Sequence, residues 1–94
     1  MSILLVTYDL SSTGKDYSGL YTTLKSAPGW WHYIESCWLL KTKESAQDWL
    51  SKIKPHIDND KDSLLIIEIT PQNRAGWLPQ KAWDWVKKNS ESNL

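Results

Sequence analysis

Phenylalanine is absent from this chain, arginine occurs once, as Arg74, and cysteine once, as Cys37. Each scarcity removes a class of protein. A single cysteine allows neither an internal disulfide nor a thiolate-based zinc site. Cys37 lies inside an apolar run and reads as a small buried thiol rather than a nucleophile. Eleven basic side chains, ten of them lysine, cancel eleven acidic ones, so no overall field draws the molecule to nucleic acid or membrane. A dedicated nucleic-acid binder usually carries an arginine-rich basic face, which this composition does not supply. A local basic patch stays open, because net charge says nothing of distribution. No charged-then-apolar leader opens the chain and no apolar run approaches membrane-spanning length. The expectation is a cytoplasmic protein with no membrane partner.

What the chain has instead is tryptophan, seven times in 94 residues, enough for one small domain that folds alone. Its organising stretch is Ile3-Leu4-Leu5-Val6-Thr7-Tyr8-Asp9-Leu10, too short for a convincing helix and rich in β-type residues. Ser11-Ser12-Thr13-Gly14 follows as loop chemistry, which predicts a buried strand and its exit. Asp9, at the strand's mouth, is either a turn residue or a functional carboxylate.

Tyr17, Leu20, Tyr21 and Leu24 then share one helical face, predicting a helix from about Asp16 to Ala27. Gly14 and Asp16 stand at its entry and Pro28-Gly29 at its exit. The segment Thr13-Gly14-Lys15-Asp16 joins strand to helix as a phosphate loop does. That motif, however, needs Gly at position 9 and Ser or Thr at position 16, and both are Asp here. Trp30 to Thr42 is β-type sequence, read as a hairpin with its corner at Glu35-Ser36. His32 sits among aromatics with no second ligand at helical spacing, so a packed or hydrogen-bonded histidine is the default reading.

Thr42 reads as an N-cap, with Glu44 in the first turn of a helix whose apolar face is Ala46, Trp49, Leu50 and Ile53, ending near Pro55. Asp58-Asn59-Asp60-Lys61-Asp62 begins like a calcium loop. Ser63 replaces the glycine of the sharp turn and Ile69 the bidentate glutamate, so a solvated turn is the better reading. Leu64 to Ile69 is a second buried strand and Pro71 to Gly76 a loop. Pro79 suits the first turn of a last helix carrying Ala82, Trp83, Trp85 and Val86. Residues 1–88 form the domain, with 89–94 a flexible polar tail.

Strand, helix, strand, strand, helix, strand, plus an appended helix is the order of an α+β, ferredoxin-like domain. That βαββαβ fold has a four-stranded antiparallel sheet with two helices on one face. The strands conflict with its open second face. Ile3, Leu5 and Thr7 oppose Leu4, Val6 and Tyr8, and both sets are mostly apolar, where a half-wet sheet should alternate. The C-terminal helix, a second copy, or both must cover that face. We expect a homodimer built on it, with Trp38, Trp83 or Trp85 contributing.

The strand end Val6-Thr7-Tyr8-Asp9-Leu10, the hairpin segment Ser36-Cys37-Trp38, and the stretch from Ile57-Asp58 through Asp62-Ser63-Leu64 resemble the CRISPR-associated protein 2 family. This family comprises small ferredoxin-like subunits of spacer acquisition and their Cas-like relatives in bacteria and phages. The resemblance spans roughly residues 3 to 70. It implies a homodimer and a role in phage–host conflict. In nuclease members it implies that Asp9 faces its twin across the two-fold and holds Mg2+, with Ser11, Ser12 or Ser36 assisting phosphodiester hydrolysis. This chain departs from the family where members carry several Arg, having Tyr17, Tyr21, Lys25 and Trp30-Trp31-His32 there, and so grips phosphate less well. Those tryptophans are either dimer core or a stacking platform for a base or nucleotide, with Tyr8, Lys15, Trp30, Trp31 and His32 as candidate ligand contacts. Two functions follow. One is a non-catalytic homodimeric module binding a nucleotide, nucleic acid or protein partner; the other is a Mg2+-dependent endonuclease with Asp9 as metal ligand.

Overall fold

The structure, a computed structural model, describes residues 1–11, 14–70 and 73–91, with Ser90 and Glu91 described by their backbone alone. The elements run β1 (Ser2–Asp9), α1 (Ser18–Leu24), β2 (Gly29–Ile34), β3 (Cys37–Thr42), α2 (Ala46–Ile53), β4 (Ser63–Ile69) and α3 (Gln80–Glu91), with one 3-10 turn over Lys54–His56. The class is α+β, a four-stranded antiparallel sheet with three helices. Strand order is β2-β3-β1-β4, which puts β1 at the interior and β2 and β4 at the edges. No helix among the described residues is long and apolar enough to cross a membrane.

β1 is apolar on both sides, and the sheet is accordingly covered on both. Leu4, Val6 and Tyr8 point toward α1 and α2, where they pack with Leu20, Leu24, Trp38, Leu40, Trp49 and Ile53. On the opposite face Ile3 meets Trp31, Leu39, Ala82 and Val86, so α3 closes a second, smaller core. Burial of each such aliphatic side chain favours folding by about 1.5–3 kcal/mol, and the two cores share the strand between them.

Three tryptophans lie in these layers, each with its indole hydrogen paired. Trp38 Nε1 donates to the Tyr8 hydroxyl at 3.0 Å, Trp49 Nε1 to Thr42 Oγ1 at 3.1 Å and Trp31 Nε1 to the Ala82 carbonyl at 3.1 Å. Burying an indole without a partner costs more than the ring gains at that atom, so each bond fixes where its ring can sit. Trp31 thereby ties β2 to α3, and Trp49 ties α2 to the end of β3.

Local chemistry moves several boundaries. Ser45, not Thr42, caps α2: its side chain accepts from Asp48 N while Asp48 accepts from Ser45 N, a reciprocal box. Thr42 is buried instead, its hydroxyl taken by Trp49 and by Glu44 N. Glu44 lies ahead of the helix and pairs with Lys52. α1 is shorter than its apolar face suggested, and Asp16 Oδ1 accepts from Ser18 N at 2.9 Å at its entry. That bond holds the Asp16 carboxyl below its ordinary value. α1 comes so near the 3-10 turn that a Cβ on Gly19 would fall on the His56 ring. α3 runs past Lys88 to Glu91, and buried Asn89 donates to the Trp85 carbonyl at 2.8 Å, so residues 89–91 belong to the helix rather than to a tail. Residues 92–94 and Pro71-Gln72 of the expected loop lie outside the described residues.

Two substitutions test this account by chemical unfolding. Ser45→Ala removes the cap and lowers stability by about 1 kcal/mol. Trp49→Phe keeps most of the packing, removes the indole donor from Thr42 Oγ1, which retains its bond from Glu44 N, and costs about 0.5–1.5 kcal/mol for that bond, whereas Thr22→Ala on the exposed side of α1 stays within about 0.5 kcal/mol.

Candidate functional site

The candidate chemistry gathers at one end of the sheet, where β1 exits and the β2–β3 turn closes. Asp9 is exposed, opposite Ser63 in the β1–β4 register. It borders a shallow groove lined by Thr7, Tyr8, Ser63, Leu64 and Leu65. Among the described residues no group of three or more His, Cys, Asp or Glu side chains is placed to hold a metal ion. One chain thus offers Asp9 as a single carboxylate beside hydroxyls and aliphatics. A Mg2+ site of the expected kind, with one or two carboxylates and waters, would take its second carboxylate from the Asp9 of another copy.

Of the serines expected to assist, Ser11 has its hydroxyl engaged and Ser36 is held by its main chain. Ser11 N donates to Asp62 Oδ1 at 2.9 Å, and Ser11 Oγ donates to the Lys61 carbonyl. The carbonyl of Ser36 accepts from Tyr8 N at 3.1 Å and from Thr7 Oγ1 at 3.2 Å, which anchors the hairpin turn on β1. Ser12 lies outside the described residues.

Asp62 gathers this corner of the molecule. Besides Ser11 N, it accepts from Asp58 N at 2.8 Å, and the Tyr17 hydroxyl, 2.7 Å from Oδ2, donates to it. Asp58 in turn accepts from Asp60 N and Lys61 N. Two of the three alternating carboxylates that resemble a calcium loop, Asp58 and Asp62, therefore accept backbone amides, as expected of a tight turn. They splice the exit of β1, the start of α1 and the entry to β4.

Tyr8 and His32, read as ligand contacts, belong to one internal network. Trp38 donates to the Tyr8 hydroxyl, which donates to the Glu35 carbonyl at 3.1 Å; His32 Nε2 donates to that same carbonyl at 2.9 Å. The His32 ring stacks on Trp38 at 3.9 Å, 13° from parallel, and Tyr21 lies over Trp38 at 6.4 Å. Burial pushes the Tyr8 phenol above its ordinary 10.0, partly offset by the bond from Trp38. The same cause raises the Cys37 thiol, which is half-buried and keeps its proton at neutral pH.

The tryptophan assignments sort by exposure. Trp38 is fully buried beneath the helices and cannot reach a partner, which removes it from any dimer interface. Trp31 is buried against α3, so its ring offers no stacking surface. Trp30 remains available: it is 40 % exposed, tilted against Trp38 at 5.4 Å, with Lys25 Nζ 5.6 Å from its ring. Trp83 and Trp85 are half-buried on α3, Trp85 against the second core, and Lys15 is exposed.

Sequence reading missed two surfaces. The indole of Trp77, ahead of α3, is wholly exposed; its one signal was the surplus of tryptophan. The second is the half of the sheet that α3 leaves bare, where register sets Leu65, Thr7, Cys37 and Ile34 side by side. Compared with known proteins, the chain matches no family model, no curated protein and no solved structure.

The Tyr8 phenol gives a signed pH test. Its folded-state pKa lies above the unfolded value, so its contribution is fully present below the unfolded pKa of 10.0 and is lost as pH rises through the folded value. Unfolding free energies measured from about pH 9 to about pH 12 fall less steeply in Tyr8→Phe than in wild type, whose unfolded chain alone releases that proton.

Proposed function

We propose that this chain is a non-catalytic, homodimeric binding module, ferredoxin-like in topology and Cas2-like in family. The reading is carried by one observation: an apolar strip on the bare half of the sheet. In it Leu65 is 55 % and Ile67 48 % exposed, with Ile34 exposed at the far edge. A protein of this size does not ordinarily leave a contiguous strip of such side chains in water. A second copy buries its Leu65–Ile67 margin. The ferredoxin-like topology is supported by the strand order β2-β3-β1-β4, in which each of α1 and α2 links strands separated by one other strand.

The ligand in this reading is nucleotide-like. Trp30 presents part of its ring at the β2 edge, with Lys25 over it. An exposed indole stacks on any base, and an adjacent ammonium suits a phosphate. The endonuclease reading ranks behind, because among the described residues Asp9 belongs to no cluster of three or more metal-ligating side chains and the Ser11 hydroxyl is engaged by Lys61.

Sedimentation at micromolar concentration is expected to show a species of twice the 10.9 kDa chain. Adenosine monophosphate is expected to quench tryptophan fluorescence in wild type and to lose most of that effect in Trp30→Ala. Mg2+-dependent cleavage of single-stranded RNA or duplex DNA that disappears in Asp9→Ala would replace the module with the nuclease.

A further inference from the structure

β4 is an edge strand, and its outer side pairs with no other described strand. Edges of this kind are normally blunted by charge, proline, a bulge or a cover, because free N–H and C=O groups recruit another strand. The opposite edge follows that rule: β2 begins after Pro28 and carries a register shift between Trp31 and Ile34. β4 does not. It pairs with β1 in unbroken register over its seven residues, Ser63-Leu64-Leu65-Ile66-Ile67-Glu68-Ile69, with Glu68 its one charge. Beside it, between the strand and α2, runs a shallow groove lined by Ala46, Gln47, Leu50, Leu64, Leu65 and Ile66, without a charged group.

We propose that β4 pairs antiparallel with β4 of a second copy about a two-fold axis at Ile66, joining the two sheets into one of eight strands. The proposal rests on the homodimer reading above and names the surface that performs it. A two-fold axis sets like against like, so a charge near it meets its own sign. Centred on Ile66, the register opposes Leu65 to Ile67, Leu64 to Glu68 and Ser63 to Ile69. Glu68 thereby faces an aliphatic residue rather than its twin. On the bare face the exposed Leu65 and Ile67 of each copy meet in one apolar cluster. On the helix side each groove, lined at the strand by Leu64 and Ile66, receives the other strand's Ile66 and the aliphatic stem of its Glu68, whose carboxylate reaches past the groove to water. A foreign strand could satisfy the backbone edge, but the chain carries the complement of its own pattern, neutral at the axis, apolar on the bare face and free of like-charge opposition on the helix side. That favours a second copy.

The test uses a charge on each exposed position, singly and then mixed. Leu65→Lys and Ile67→Glu stay folded by circular dichroism, and each raises the dimer dissociation constant at least about tenfold in sedimentation equilibrium. An equimolar mixture of the two variants recovers the dimer, because the register sets the lysine against the glutamate across the axis. A dimer insensitive to both substitutions overturns edge pairing and leaves the homodimer reading standing. Single variants that dissociate and fail to associate on mixing overturn the Ile66-centred register. A wild-type monomer throughout overturns the homodimer reading and the edge pairing together.

Discussion

A sheet with no polar side must be covered twice, and this requirement shapes the molecule. β1 carries Leu4 and Val6 toward one layer and Ile3 and Leu5 toward the other, so the strand cannot be stable with either face in water. Two helices of ordinary length satisfy the first face. The second receives α3 alone, which reaches Ile3, Leu39 and Trp31 but leaves Leu65 and Ile67 in solvent. Part of the molecule's exposed apolar surface thus lies at the margin of one sheet, and the proposed self-association rests on that part.

The unusual composition has a structural counterpart. A chain without phenylalanine has filled its core with indoles, and an indole carries a donor that must be met when buried. Tyr8, Thr42 and the Ala82 carbonyl meet it, so hydrophobic packing also fixes orientation. No buried side-chain polar atom among the described residues lacks a partner. The stack of His32 and Tyr21 on Trp38 extends that order to the hairpin turn. Polar groups that looked chemical in sequence, Tyr8 and His32 among them, are occupied in holding that turn.

Acidic residues divide in the same way. Asp62, Asp58 and Asp48 each accept backbone amides at loop or helix starts, where a short carboxylate side chain substitutes for missing main-chain partners. Asp9 differs in standing exposed at a groove beside the bare half-face. Among the described residues it belongs to no cluster of three or more His, Cys, Asp or Glu side chains placed to hold a metal ion.

Much of the fold was legible in the sequence because it depends on local pattern. The short apolar runs at Ile3 and Leu64 mark strands by their length and residue type, the apolar faces at Leu20 and Trp49 mark which side of a helix meets the core, and Glu35-Ser36 marks the corner between two β-type runs. Apolarity on both faces of β1 likewise foretold a second cover. What tertiary structure alone decided was the use of each group. Trp38 and Trp30 share one face of the β2–β3 hairpin, and Trp38 is core and Trp30 surface because β3 lies inside the sheet and β2 at its edge. Whether Thr42 or Ser45 caps α2 turned on an indole seven residues along the chain that claims the threonine hydroxyl. Side-chain identity sets what a residue is able to bind; only the packed arrangement determines which partner is within 3 Å, and so which residues are left free to act.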